Sequence, residues 1–186
     1  MAYPGQILDN PVSGERMVFR KTAAETGGRS LTLDLYLTPD GHVPAMHVHP
    51  IVEERFRVLQ GRMRFRRGLR RLVAHEGDVV TVPPGKLHRF ASAGPGPAHV
   101  LVEIEPALRM EDLFETTVAL AHEGRTLANG TPKPLEMALF LRAFEHELRP
   151  PFLPSWLVRL LTAPLVALAQ RRGLALPTFA AEEEAA

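Results

Sequence analysis

From residue 17 to residue 104 the chain is a succession of short runs rich in β-branched, aliphatic and aromatic residues, at 17–20, 31–37, 55–59, 63–66, 70–74, 79–82, 88–91 and 100–104, parted by Gly, Pro and Asp. In the fourth run Met63 and Phe65 alternate with Arg62, Arg64 and Arg66, the period of a half-buried strand. Many short strands with regular turns predict a sandwich or a small closed barrel. Past residue 106 the period lengthens. Met110, Leu113, Phe114, Val118 and Ala121 fall at helical spacing before a terminating Gly124, and a loop follows at 129–132. Leu135, Met137, Ala138, Leu139, Leu141, Phe144 and Leu148 predict a second amphipathic helix that stops before Pro150-Pro151. A third is expected from an N-cap at Ser155 to Arg172, kinked at Pro164 and ended by Gly173.

The pattern divides the chain into an N-terminal arm (1–14), a β-barrel (15–106), a helical extension (107–179) and an acidic, alanine-rich tail (180–186) expected to be disordered. Arg159, Thr162 and Pro164 break the apolar run of the third helix, whereas a membrane span needs about twenty apolar residues. The three helices are expected to pack on the barrel or across a homodimer interface. Contact of the last helix with a membrane surface through Trp156, Leu160, Leu161 and the basic pair Arg171-Arg172 is the minority reading.

A length of 186 residues supports one domain with an appendage, and a net charge of +1 gives no general attraction to nucleic acid or membrane. There is no cysteine, hence no disulfide, and the opening residues are polar rather than those of a cleaved signal peptide; the cytoplasm is the expected compartment. Arg62, Arg64, Arg66, Arg67, Arg70 and Arg71 crowd a hairpin around Gly68. Their alternation with Met63 and Phe65 fits the solvated face of an edge hairpin, so no nucleic-acid partner is expected.

Chemistry concentrates in two stretches. In a strand His47 and His49 share a face while Val48 takes the other, so two imidazoles can meet one ion. Glu54 lies five residues beyond His49, far enough for the chain to turn at Pro50 and return a carboxylate to the same centre. His88 would arrive from a separate strand. Three imidazoles and a carboxylate suit a divalent Fe, Mn, Ni, Cu or Zn ion rather than Ca or Mg. On an octahedral ion four protein ligands leave two positions open to a small-molecule substrate or ligand, or to dioxygen.

These stretches resemble the motifs of the cupin superfamily. The first family motif runs Gly, five residues, His-X-His, three or four residues, Glu, six residues, Gly, and the chain supplies Gly41, His47, His49, Glu54 and Gly61. Glu53 satisfies the shorter spacing, but only Glu54 leaves six residues before Gly61. The second motif is met by Gly77, Pro83, Gly85 and His88, with Ser92 at a position where the family usually has Asn. The resemblance implies a mainly β, double-stranded β-helix (jelly-roll) barrel followed by the helices, with a metal ion on His47, His49, Glu54 and His88.

Alternation outward from those ligands predicts a pocket wall of Phe56, Val58, Met63, Phe65 and Phe90, suited to a partly apolar substrate unless these are plain core. The resemblance further implies an oxidoreductase of the dioxygenase type, with Glu54 doubling as a catalytic base. The alternative is a barrel that binds or senses a small ligand without turnover. Catalysis usually needs a further acid or base near the substrate; Glu103 and Tyr36 are candidates if their strands aim them inward. The oxalate-degrading branch is disfavoured by the absence of its paired cysteines, and a sugar-phosphate isomerase by the apolar wall.

Overall fold

The computed structural model describes residues 1–177, so the tail expected at 180–186 lies outside the described residues. Among the described residues nine strands are formed: β1 (Ile7–Asn10), β2 (Glu15–Lys21), β3 (Leu31–Leu37), β4 (Glu53–Gln60), β5 (Arg62–Arg67), β6 (Arg70–His75), β7 (Val79–Val82), β8 (His88–Ser92) and β9 (Ala98–Glu105). They make two antiparallel sheets, one ordered β1-β2-β3-β9-β4-β7 and the other β6-β5-β8. The fold is a mainly β jelly-roll barrel with helices after it. All eight runs read as strands from the pattern are strands, two with the same bounds and the others one to three residues longer. The stretch 1–14, read as an arm, contributes β1, which pairs with β2 from Ile7 opposite Val18 to Asn10 opposite Glu15. Its mixed burial hid it from a search for alternation.

Alternate residues of the strands fill the space between the sheets. Phe19 on β2, Leu31, Leu33, Leu35 and Leu37 on β3, and Val100, Val102 and Ile104 on β9 are all buried. They meet Phe56 and Val58 of β4 and Met63 and Phe65 of β5 in one continuous core. Arg62 and Arg64 of β5 are exposed on the outer face, whereas Arg67 shares the parity of Met63 and Phe65 and donates to the Thr81 carbonyl at 2.6 Å; the turn between β5 and β6 is made at Gly68, whose φ of 56° is the left-handed conformation that glycine tolerates. The segment before β4 has no long ladder, yet it runs beside β8: His47 and His88 exchange backbone hydrogen bonds of 3.1 and 3.0 Å.

A single-turn helix, α1 (Ala23–Thr26), is closed by a capping box between Thr22 and Glu25. Three longer helices follow the barrel: α2 (Met110–His122), α3 (Pro134–Ala143) and α4 (Ser155–Arg171). Their polar side chains tie α2 to the start of the chain. Gln6 Nε2 donates to Glu115 Oε1 at 2.6 Å, and the backbone N–H of Ala23 donates to Glu111 Oε1 at 2.7 Å. The second helix ends five residues earlier than its apolar pattern suggests, because 144–147 form a turn and Arg149 pairs with Val48 through backbone bonds of 2.9 and 3.0 Å. The connection from α3 to α4 is thereby joined to the histidine-bearing segment.

The last helix packs on α3, burying Val158, Thr162 and Ala169, while Trp156, Leu160 and Leu161 face solvent. Ser155 is its first residue, with Pro154 rather than Ser155 at the cap position. Among the described residues no helix is long and apolar enough to cross a membrane.

Candidate metal centre

Strand parity and one bridge bring the four motif residues together. His47 and His88 are held across the bridge between their backbones, His49 follows two residues on, and Glu54 projects inward from the second position of β4. One ligand atom from each lies within 4.8 Å of the others, and all four residues are buried. Glu53, the rival carboxylate, is exposed on the outer face of β4. The preference for Glu54 has a backbone cause at Gly61: its φ is 79°, and a Cβ there would stand 2.5 Å from the Pro97 carbonyl oxygen, so a glycine must fall at this turn.

Hydrogen bonds on the far side of each ring fix its protonation. The Nδ1 of His47 faces the Ala45 carbonyl at 3.0 Å, that of His88 the Lys86 carbonyl at 3.0 Å, and that of His49 the Glu147 carbonyl. A carbonyl can only accept, so each Nδ1 carries the proton and each neutral ring turns an Nε2 lone pair to the centre. His49 Nε2, His88 Nε2 and Glu54 Oε2 are buried without a hydrogen-bond partner of suitable geometry. His88 Nε2 stands 2.8 Å and His49 Nε2 3.5 Å from Glu54 Oε2. Lone pairs this close, cut off from water, require a positive charge between them.

A proton is one such charge. Burial works against it on His88, yet the Glu54 carboxylate 2.8 Å away prevails and raises that imidazole above its usual value. Burial would also raise Glu54, but the neighbouring histidines, His49 and His88 foremost, hold its carboxyl at about 2. His47 is pushed down to about 3 by burial and by its two neighbouring imidazoles. A divalent transition ion is the other candidate, and three Nε2 atoms with one carboxylate oxygen are a fitting donor set for it. The cluster could therefore hold a metal ion.

The centre opens on a cavity of about 340 Å³ lined by His47, His49 and Glu54. Phe56 and Phe90 line it as the sequence predicts; Val58, Met63 and Phe65 do not. Those three point inward but lie deeper: Phe56 stands 5.2 Å and Phe90 6.2 Å from the Phe65 ring, centroid to centroid, and roof it over. Alternation fixes a face, not a depth. The opposite wall comes from the helices, with Leu113 and Phe114 of α2 and Phe140 of α3. Glu103 and Tyr36 turn away. Glu103 meets Arg55 at 3.5 Å on the outer face of β9, and Tyr36 stacks on His99 at 4.2 Å.

Two contributors are absent from the sequence reading. The Glu147 carbonyl, which orients His49, comes from a turn 98 residues away, and no local pattern could reveal it. Glu15 is the other. It opens β2 on the same inward parity as Met17 and Phe19, lines the cavity, and takes a hydrogen bond of 2.6 Å from the Ser13 hydroxyl. Burial pushes its carboxyl up to about 7, with Ser13 pulling weakly the other way. Extending the β2 alternation back by one strand pair would have disclosed it.

Residues 35–104 match the family model described as Cupin domain. No curated protein matches the chain. Among solved structures, the chain is similar to a predicted oxalate decarboxylase from Thermotoga maritima, with 19% identity over 55% of this chain and 92% of that one and a TM-score of 0.49. It is similar also to an RmlC-like cupin from Shewanella frigidimarina, with 14% identity over 60% and 94% of the two chains and a TM-score of 0.49. A sugar phosphate isomerase from a cupin superfamily of Silicibacter pomeroyi shares 21% identity over 56% and 67%, with a TM-score of 0.45. The match to the cupin family model ends at residue 104, so α2 and α3, which wall the cavity, and α4 lie beyond it.

Proposed function

We propose that this protein, whose residues 35–104 match a cupin domain, is a metal-dependent oxidoreductase of the dioxygenase type acting on a small, largely apolar organic molecule. The observation that carries the reading is the convergence of three Nε2 lone pairs and the Glu54 carboxylate on one point at the wall of an apolar cavity. His47, His49, Glu54 and His88 would hold the ion, which supplies redox chemistry and open coordination positions. Phe56, Phe90 and the helical wall exclude water and orient the substrate's apolar body. Glu54, at about 2, stays a carboxylate through the neutral range and can take a proton from a substrate as it loosens its hold. Both atoms of dioxygen enter the product in such a reaction, so no separate reductant is needed.

The predominance of apolar side chains in the wall, Phe56, Phe90, Leu113, Phe114 and Phe140 against Arg149 as its one cation, supports this substrate class over sugar phosphates. The partners in this reading are a small molecule and a second copy of the chain, in a cytoplasmic setting with which a chain without cysteine is compatible. A second reading, a ligand-binding barrel without turnover, is favoured by the apolar stretch of wall, Met17, Leu33, Leu35 and Phe56, that parts Glu54 from the other carboxyl of the cavity, Glu15.

The test is oxygen uptake by protein loaded in turn with Fe, Mn, Ni, Cu and Zn, against a panel of apolar hydroxylated compounds. Substrate-dependent consumption with a redox-active ion is expected and with Zn is not. Tight ligand binding without oxygen uptake for any ion would replace the oxidoreductase by the non-catalytic reading.

A further inference from the structure

The cavity has a second polar pole. Glu15 is 9% exposed, lines the cavity, and forms no ion pair among the described residues. Only its Oε2 has a partner, the Ser13 hydroxyl; Oε1 takes no hydrogen bond and is not among the sealed-off unpartnered atoms. A buried carboxyl with one neutral partner is an expensive group to keep in a barrel core, where an apolar side chain would pack without penalty. Its neighbours on the cavity wall, Met17, Leu33 and Leu35, offer it nothing polar.

The register places Glu15 at the opposite end of the sheet from the candidate metal centre. Glu54 lies opposite Ile104, Ile104 opposite Leu31, and Leu37, six residues further along β3, lies opposite Glu15. Six residues of strand span roughly 20 Å. The far end is closed by the loop after α2: a Cβ on Gly130 would meet the Pro44 ring at 2.9 Å and the Ser13 Cβ at 3.6 Å, so this loop sits directly over Ser13.

We propose that Glu15, set by Ser13, is the polar anchor of this cavity and that its ligand is an elongated apolar molecule bearing one hydroxyl head. The hydroxyl donates to Glu15 Oε1, and the apolar body runs along Met17, Leu33, Leu35 and Phe56 toward the histidines. This rests on the cavity being the substrate site of the proposed function, and it adds what the substrate looks like at the end away from the ion.

The test uses zinc-loaded protein and two probes of similar length, 1-octanol and octyl methyl ether, titrated by calorimetry. The ether has no donor. The wild type is expected to bind the alcohol about fivefold to tenfold more tightly, the worth of one buried hydrogen bond. Glu15→Leu should remove the preference, while Glu15→Gln, which keeps an acceptor, should keep most of it. Equal affinities in the wild type, or a preference that survives Glu15→Leu, would overturn the proposal. A crystal structure of the 1-octanol complex decides the same question without a variant: the hydroxyl within hydrogen-bond distance of Glu15 supports the proposal, and a hydroxyl elsewhere refutes it. Zinc content is read in the same samples. Failure to take up zinc counts against the metal reading, and the alcohol-to-ether ratio still judges Glu15.

Discussion

Replacing Glu15 by Gln should change how the stability of the protein depends on pH. In the fold the Glu15 carboxyl is raised from 4.5 to about 7, chiefly by burial. Between those values the folded chain keeps a proton that the unfolded chain has released. The unfolded state then binds fewer protons, so stability falls as pH rises through that window and levels off above it. At ~1.4 kcal/mol per pH unit the displacement is worth about 3 kcal/mol. Glutamine fills the same space, accepts from Ser13 and does not titrate. Urea unfolding followed by far-ultraviolet circular dichroism, with chelator present and both proteins measured from pH 4 to pH 9, isolates the difference. Every other titrating group is common to the pair and cancels. The stability of Glu15→Gln relative to wild type should be flat below about pH 4.5, climb by about 3 kcal/mol and be flat again above about pH 7 to 8. A difference independent of pH across the whole range would refute the assignment of Glu15 as a buried, raised carboxyl.

Two further outcomes separate neighbouring roles. Glu54→Gln should lower metal occupancy at least tenfold, as expected for loss of the charged ligand, whereas Glu53→Gln should leave it unchanged, since Glu53 is exposed on the outer face; plasma emission spectrometry on dialysed protein reads both. Phe65→Ala should cost about 3 to 5 kcal/mol in urea unfolding, because its ring is sealed beneath Phe56 and Phe90, while metal content stays at the wild-type level.

The barrel was legible because alternation at period two is written into its strands, and the four candidate ligands because spacing on strands fixes which side chains share a face. Gly61 made even the choice between Glu53 and Glu54 readable, since only glycine fits the turn that closes β4. Depth was not legible: Val58, Met63 and Phe65 have the inward parity of Phe56 but do not reach the cavity, Phe65 lying beneath Phe56 and Phe90. Neither was the helical share of the centre. The apolar pattern carries the second helix to Leu148, yet the pairing of Arg149 with Val48 ends it at Ala143 and presents the Glu147 carbonyl to His49. Such a contact joins residues distant in sequence, and local periodicity holds no record of it. Glu15 was within reach, one strand pair before the first residue assigned to β2.

The proposed function turns on whether the three Nε2 atoms and the Glu54 carboxylate are metal ligands, and elemental analysis of the protein answers that. Purified without added metal, or reconstituted with Fe, Mn, Ni, Cu and Zn in turn and dialysed, the wild type should carry about one transition-metal ion per chain, and His88→Ala should lose most of it. Well under half an equivalent of every ion in the wild type, or undiminished occupancy in His88→Ala, would contradict a metal centre at these four residues.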